Sequence, residues 1–141
     1  MKLTELFSQK RPTLSFEVFP PKTTTSFENV RQATERIASL HPDFMSVTYG
    51  HGSAGFTLPI AENVQRSQGV PALAHLTCVG STRVQIDQQL EAFGQAGIEN
   101  ILALRGDIPA DASPADTWHF RHASDLIQYL KSRGDFCVGA A

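Results

Sequence analysis

Short apolar runs and longer mixed segments alternate along the chain. The apolar runs predict five strands: Ser15–Phe19, Phe44–Tyr49, Ala72–Cys78, Ile101–Arg105 and Phe136–Ala141. In the segments between them, apolar residues recur at the three- and four-residue spacing of an amphipathic helix. That spacing predicts helices at Phe27–Leu40, Thr57–Ser67, Thr82–Ala96 and His122–Arg133. The pattern therefore predicts four βα units followed by the start of a fifth strand.

Residues at the ends of these helices refine the prediction. Ser26 is a candidate N-cap of the first helix, and Gly97 is a candidate C-cap of the third. Pro59 fits only near the start of the second helix, because a proline deeper in a helix lacks the N–H that the helix needs.

Strands joined by helices, with apolar residues on both faces, indicate a parallel sheet covered on both sides. Two architectures fit: a doubly wound open sheet and part of a (β/α)8 barrel. The turn after the first strand, PPKTTTS at 20–26, contains no glycine, which argues against a dinucleotide-binding doubly wound fold.

The length of the chain limits how much of a barrel it can form. A complete barrel needs about 250 residues, and this chain has 141. The predicted fold class is therefore α/β, with parallel βα repeats that form the N-terminal part of a TIM (β/α)8 barrel. Residues 1–141 are predicted to form a single partial barrel domain, and a self-contained five-stranded open sheet is the alternative.

Composition and charge exclude several classes of function. Hydrophobic residues make up 41% of the chain, charged residues 18%, and the formal net charge is −2. These values predict a globular protein without the basic surface of a nucleic-acid binder. The sequence also contains no apolar run of membrane-spanning length, and we expect no N-terminal signal peptide. Cys78 and Cys137 lie in apolar runs and are predicted to be reduced core residues of a cytoplasmic protein.

Polar residues recur at the carboxyl ends of the predicted strands. In parallel α/β proteins these ends form the ligand-binding face. The residues concerned are Glu17 on the first strand, Thr48, Tyr49 and His51 on and after the second, His75 and Thr77 on the third, and Arg105, Gly106 and Asp107 after the fourth.

Each of these residues also has a purely structural interpretation. Glu17 could pair with a structural cation, and His75 could be a hydrogen-bonded core histidine. Glu17, His75 and Asp107 could alternatively form the metal site of a barrel lyase. The chain contains no HxH or HxxxH pair, so we predict no metal site. The GxSxG turn of a serine hydrolase and the P-loop are also absent from the sequence.

Five ordered segments resemble the methylenetetrahydrofolate reductase family, whose members are flavin-dependent (β/α)8 barrels. The segments are SFEVFPPKT at 15–23, FMSVTYG at 44–50, AHLTC at 74–78, LALRGDIP at 102–109 and HASDLI at 122–127. The resemblance implies FAD as the cofactor and NADH or NADPH as the reductant. It also implies that 5,10-methylenetetrahydrofolate is reduced to 5-methyltetrahydrofolate, in one-carbon metabolism and methionine biosynthesis.

The resemblance also implies roles for individual residues. Glu17 matches the general acid that helps to open the five-membered ring of the folate, and Asp107 matches the carboxylate that stabilises the resulting cation. Glu17, Thr48 and Asp107 are the implied substrate contacts. The implied FAD contacts are Thr48, Tyr49, His51, His75, Arg105, Gly106, Asp107, His122, Ala123, Ser124 and Asp125.

Glu17 raises a chemical question, because it lies between Phe16 and Val18 in an apolar strand. Burial there would favour the protonated form of the carboxyl group, which a general acid needs near neutral pH. We therefore expect Glu17 to be a buried acid.

The family's barrel is longer than this chain, and the resemblance covers only its N-terminal half. Three interpretations remain open: a reductase whose activity depends on further strands, a non-catalytic half-barrel that serves as a structural or interaction module, and a different barrel enzyme such as a metal-dependent lyase that uses Glu17, His75 and Asp107. A partial barrel leaves two strand edges unpaired, and such edges favour pairing between chains. We therefore expect a homo-oligomer.

Overall fold

The computed structural model describes residues 1–49, 54–108 and 119–141. It contains one sheet of five parallel strands in the order β1-β2-β3-β4-β5. The strands are β1 Ser15–Val18, β2 Phe44–Val47, β3 Ala72–Thr77, β4 Asn100–Leu104 and β5 Cys137–Ala140. The helices are α1 Leu3–Phe7, α2 Phe27–Ala38, α3 Ala54–Glu62, α4 Arg83–Ala96 and α5 Ala123–Arg133.

The strand order distinguishes between the two predicted architectures. A doubly wound sheet reverses its strand order at a switch point, with helices on both faces. Here each strand pairs with the next one in sequence. Because parallel crossovers are right-handed, sequential order brings the connecting helices to the same face, as in a TIM barrel. The predicted fold class, α/β with parallel strands consistent with part of a TIM barrel, is confirmed.

The hydrophobic core lies between the sheet and the helices, on one face of the sheet. The strands contribute Met45, Val47, Ala74, Leu76 and Ile101, which are all fully buried. The helices contribute Ile60, Ala61, Ile86, Leu90, Phe93, Leu126 and Leu130 to the same cluster. The expectation that both faces would be covered is wrong for the described residues, because every crossover returns its helix to this outer face.

The short helix α1 closes the amino-terminal end of the sheet, and the sequence pattern did not predict it. Leu3 and Leu6 are buried. The backbone N–H of Leu3 donates to Oδ1 of Asn100 at 2.8 Å, and Nδ2 of Asn100 donates to the carbonyls of Met1 and Ala72 at 3.2 and 3.3 Å. The buried Asn100 side chain therefore joins α1 to β3 and β4.

The ends of α4 follow the sequence signals. Gly97 follows the helix with φ at +74°, in the left-handed conformation of a C-cap, as predicted. At the other end, the hydroxyl of Thr82 accepts from the N–H of Gln85, and Oε1 of Gln85 accepts from the N–H of Thr82 at 2.8 Å. This reciprocal capping box fixes the start of α4.

Ser26 occupies the N-cap position of α2, as predicted, but its side chain makes no cap hydrogen bond. A 3-10 turn, Thr24–Ser26, precedes the helix, and the Ser26 hydroxyl donates to the carbonyl of Thr23 instead. The predicted position of Pro59 near the start of its helix is wrong. Pro59 lies inside α3, which begins at Ala54 and continues into a π-helical turn at Asn63–Ser67.

The two cysteines are free thiols, but only one of them is a core residue. Cys78 is buried, as predicted. Cys137 is half-buried, because its strand, β5, pairs on one side only with β4. Within the three described ranges, no helix is long and apolar enough to cross a membrane.

Candidate functional site

The face of the sheet opposite the helices, called here the inner face, carries a cluster of polar side chains. Directly paired residues of parallel strands point to the same side, and side chains along one strand alternate between sides. Glu17 pairs with Ser46, and Ser46 pairs with Leu73. His75, two residues beyond Leu73, therefore shares the inner face with Glu17 and Ser46.

Two of these side chains converge on one oxygen of Glu17. The Ser46 hydroxyl donates a hydrogen bond to Oε2 of Glu17 at 3.1 Å. Nε2 of His75 lies 3.5 Å from the same oxygen. The sheet thus brings together residues that are 29 and 58 positions apart in the sequence, as expected for the carboxyl-end site.

The expectation that Glu17 is buried is wrong in this chain. Its side chain is 48% exposed, and the neighbouring Phe19 is 68% exposed and does not cover it. The physical reason is that β1 pairs on one side only, with β2, and that the described helices cover the outer face.

His75 is the buried member of the cluster. Nε2 of its ring is inaccessible to solvent and has no hydrogen-bond partner among the described residues. Burial lowers the pKa of His75, and the nearby Glu17 carboxylate opposes that shift. The unsatisfied nitrogen therefore faces the Glu17 carboxyl group, at a distance that is long for a hydrogen bond.

The segment after β2 divides between the inner face and the helices. Thr48 is half-buried, and its carbonyl accepts from Oγ1 of Thr57 at 2.9 Å, which ties the end of β2 to α3. Tyr49 packs against the outer core and lines a cleft of about 170 Å³ with Gly80 and Gln85. Burial raises the pKa of Tyr49. The predicted FAD contact His51 lies outside the described residues.

The loop after β4 depends on glycine at position 106. Gly106 has φ at +84°, and a Cβ built there would lie 2.8 Å from Cγ1 of Val79 and 3.0 Å from Cβ of Thr77. Its carbonyl accepts from Nε of Arg105 at 3.2 Å. Asp107 follows with an exposed side chain. The close packing of Gly106 on Thr77 and Val79 thus fixes where the chain leaves β4.

The start of α5 is held by Asp125. Its Oδ2 accepts from the backbone N–H groups of Arg121 and His122, at 2.9 and 3.0 Å. The His122 ring is exposed, Ala123 is half-buried and Ser124 is exposed. The Asp125 carboxylate is therefore engaged in capping α5. Contacts of the His122–Asp125 segment with FAD stay a prediction.

The metal-lyase alternative lacks its ligand set. Across residues 1–49, 54–108 and 119–141, no group of three or more His, Cys, Asp or Glu side chains is arranged to hold a metal ion. Glu17 and His75 lie together on the inner face, but Asp107 does not complete a metal triad with them.

Comparison with known proteins decides the family. Residues 2–141 match the family model described as Methylenetetrahydrofolate reductase. The chain belongs to this family. The chain is 37% identical to a 5,10-methylenetetrahydrofolate reductase of Pectobacterium carotovorum, over 94% of this chain and 44% of the relative. It is 40% identical to methylenetetrahydrofolate reductase 2 of Schizosaccharomyces pombe, over 90% of this chain and 21% of the relative.

The resemblance predicted from the five sequence segments is therefore confirmed. A third relative, methylenetetrahydrofolate reductase (NADH) 1 of Zea mays, is 37% identical over 96% of this chain and 24% of its own length. The chain spans less than half the length of each of these reductases.

Sequence reasoning missed one member of the polar cluster on the inner face, Ser46. The prediction named Thr48 on the same strand, but not Ser46, whose hydroxyl contacts Glu17. The signal was available, because the two-residue period of FMSVTY places Ser46 and Thr48 on one face.

We expect the Asp125→Asn variant to lose stability in a pH-dependent way. The N–H donors of Arg121 and His122 lower the pKa of Asp125, so its carboxylate stabilises the fold above the unfolded pKa, about 3.9. This contribution is lost as the pH falls through the lower folded pKa. Urea unfolding should show a stability difference from wild type at pH 7 that shrinks at pH 3.

Glu91→Gln is the control for this experiment. Its carboxylate accepts only from the side-chain amide of Gln95 among the described residues. We expect a smaller loss of stability at pH 7 than in Asp125→Asn. An Asp125→Asn difference that is equal at both pH values would contradict the assignment of the cap.

Proposed function

We propose that this chain forms the N-terminal half of a FAD-dependent active site. This site reduces 5,10-methylenetetrahydrofolate to 5-methyltetrahydrofolate, with NADH or NADPH as the reductant. The observation that carries the proposal is the family match over residues 2–141. The convergence of Ser46 and His75 on Glu17 supports it, because a carboxyl-end cluster is where a barrel enzyme binds its ligands.

The described residues fit a flavin on the inner face. The buried ring of His75, beside Glu17, would form part of the wall of the site. The loop from Arg105 to Asp107 is held at the carboxyl end of β4 and would border the same ligand. Bound FAD would carry the hydride from the nicotinamide to the folate.

Glu17 would act on the folate as a general acid. Its carboxyl group would donate a proton to a nitrogen of the five-membered ring, and the ring would open to a cationic iminium. The Asp107 carboxylate would stabilise that positive charge. A flavin and a folate stacked on the inner face would exclude the water that now reaches Glu17, so the ligands rather than the strand would supply its desolvation.

The test is a visible absorption spectrum of the purified chain, after incubation with FAD and removal of the excess. We expect about one retained FAD per chain, bleaching of its absorption by NADH or NADPH under anaerobic conditions, and recovery on addition of methylenetetrahydrofolate. His75→Gln should retain less FAD than wild type. The control His41→Asn alters an exposed histidine with φ at +54°, a conformation that Asn tolerates, and should retain as much FAD as wild type.

A folded chain that retains no FAD would contradict the expectation that residues 1–141 hold the cofactor by themselves. It would favour the second candidate, a non-catalytic module. The observation that supports this alternative is that β1 and β5 each pair on one side only in the described sheet. Sedimentation of the same sample would then show whether the chains associate through these edges, as the predicted homo-oligomer requires.

A further inference from the structure

The Glu17 carboxyl group is held unsymmetrically. Both described contacts, the hydrogen bond from Ser46 and the approach of His75, go to Oε2. No described residue donates a hydrogen bond to Oε1. A carboxyl oxygen that already accepts from a hydroxyl is a poorer place for the acidic proton than the free oxygen, because the proton would compete for the same lone pairs.

Ser46 is well placed to fix this orientation. Its side chain is buried, on a strand whose register sets Ser46 directly opposite Glu17. A serine side chain has only one rotatable bond, χ1, between the backbone and its oxygen. The position of the Ser46 hydroxyl is therefore set by one rotamer choice and by the backbone of β2. The Glu17 side chain, half-exposed on β1, has more rotamers to lose than Ser46 has.

His75 limits the freedom of Glu17 from the other side. Its ring is buried on β3, and Nε2 approaches Oε2 at 3.5 Å, which is long for a hydrogen bond. The Ser46 hydroxyl, at 3.1 Å, is therefore the primary contact, and the His75 ring is the wall against which the carboxyl group is held.

We propose that Ser46 is a positioning residue that holds Oε2 of Glu17 against His75 and so leaves Oε1 to carry the proton delivered to the folate. The inference rests on the proposed function for the identity of the proton acceptor. The orientation itself belongs to the chain without ligands, and it can be tested without cofactor, substrate or turnover.

The experiment is solution NMR on the isotope-labelled chain without FAD or folate. We expect a nuclear Overhauser contact between the Glu17 γ protons and the His75 ring in wild type. In Ser46→Ala, the ratio of held to free carboxyl orientations should fall about tenfold, because the free energy of one hydrogen bond to a charged acceptor is lost. The nuclear Overhauser contact should then disappear. Ser46→Thr keeps the hydroxyl and should restore the contact.

Two further variants separate positioning from general damage. Ser46→Cys keeps a side chain of similar size with only a weak donor, so it should lose the contact without leaving a cavity. Ser132→Ala removes a hydroxyl that donates to the carbonyl of Tyr129 on α5, and it should keep the contact. A contact that persists in both Ser46→Ala and Ser46→Cys would overturn the proposal, whatever the flavin experiment shows.

Discussion

The Glu17→Gln variant is expected to reduce methylenetetrahydrofolate about 10²–10⁴-fold more slowly than the wild-type chain. Its FAD should still be reduced by NADH or NADPH at the wild-type rate. The amide is close in size to the carboxyl group and can still accept from Ser46, but it has no acidic proton to donate to the folate ring. The two half-reactions should therefore separate in this variant.

The measurement is anaerobic stopped-flow absorbance of the FAD-loaded chain, with each half-reaction started separately. Glu91→Gln makes the same chemical change at an exposed position on α4, and both of its rates should stay at the wild-type values. Equal losses in the two half-reactions of Glu17→Gln would mean that Glu17 supports the flavin or the fold, and would contradict its role as the acid.

The elements that the sequence predicts well are those whose signal is local. All five strands and four of the helices lie where hydrophobic periodicity predicts them, with ends shifted by a few residues. The left-handed Gly97, which was predicted as a C-cap, is a short-range feature as well. By contrast, α1 has only five residues and is stabilised by Asn100, which lies about a hundred positions away, so no local pattern could predict it.

The site was predictable as a location but not in its contacts. Strand ends predicted that Glu17 and His75 would meet, because the topology of a parallel sheet brings its carboxyl ends together. The exposure of Glu17 was not predictable, since it depends on which neighbours cover the inner face. The packing of Tyr49 against the outer core was not predictable for a related reason: beyond the end of β2, strand alternation no longer determines where a side chain points.

The Gly106→Ala variant is expected to lower the free energy of unfolding by about 2–5 kcal/mol. A non-glycine residue in the left-handed region costs about 1–2 kcal/mol. The added methyl group would also lie within 2.8 Å of Val79 and 3.0 Å of Thr77, and such overpacking costs about 1–3 kcal/mol more. Urea unfolding monitored by circular dichroism would measure the change.

Gly97→Ala is the matched control for Gly106→Ala, because the two glycines share a positive φ but differ in their surroundings. Gly97 has φ at +74°, and a Cβ there meets no atom within 4 Å. Gly97→Ala should therefore cost only the backbone term, about 1–2 kcal/mol. Equal losses in the two variants would show that the contacts of Gly106 with Thr77 and Val79 carry no energy.

A double variant tests the steric contribution directly. In a Val79→Ala background the nearest atom to the new methyl group is removed, so Gly106→Ala should cost less there than in wild type. The difference between the costs of Gly106→Ala in the two backgrounds would measure the steric contribution of Val79 at the end of β4. Because Asp107 follows Gly106 directly, the same contact sets the position of the carboxylate proposed to stabilise the folate cation. Gly106→Ala should then weaken FAD retention even where the chain stays folded, whereas Gly97→Ala should not.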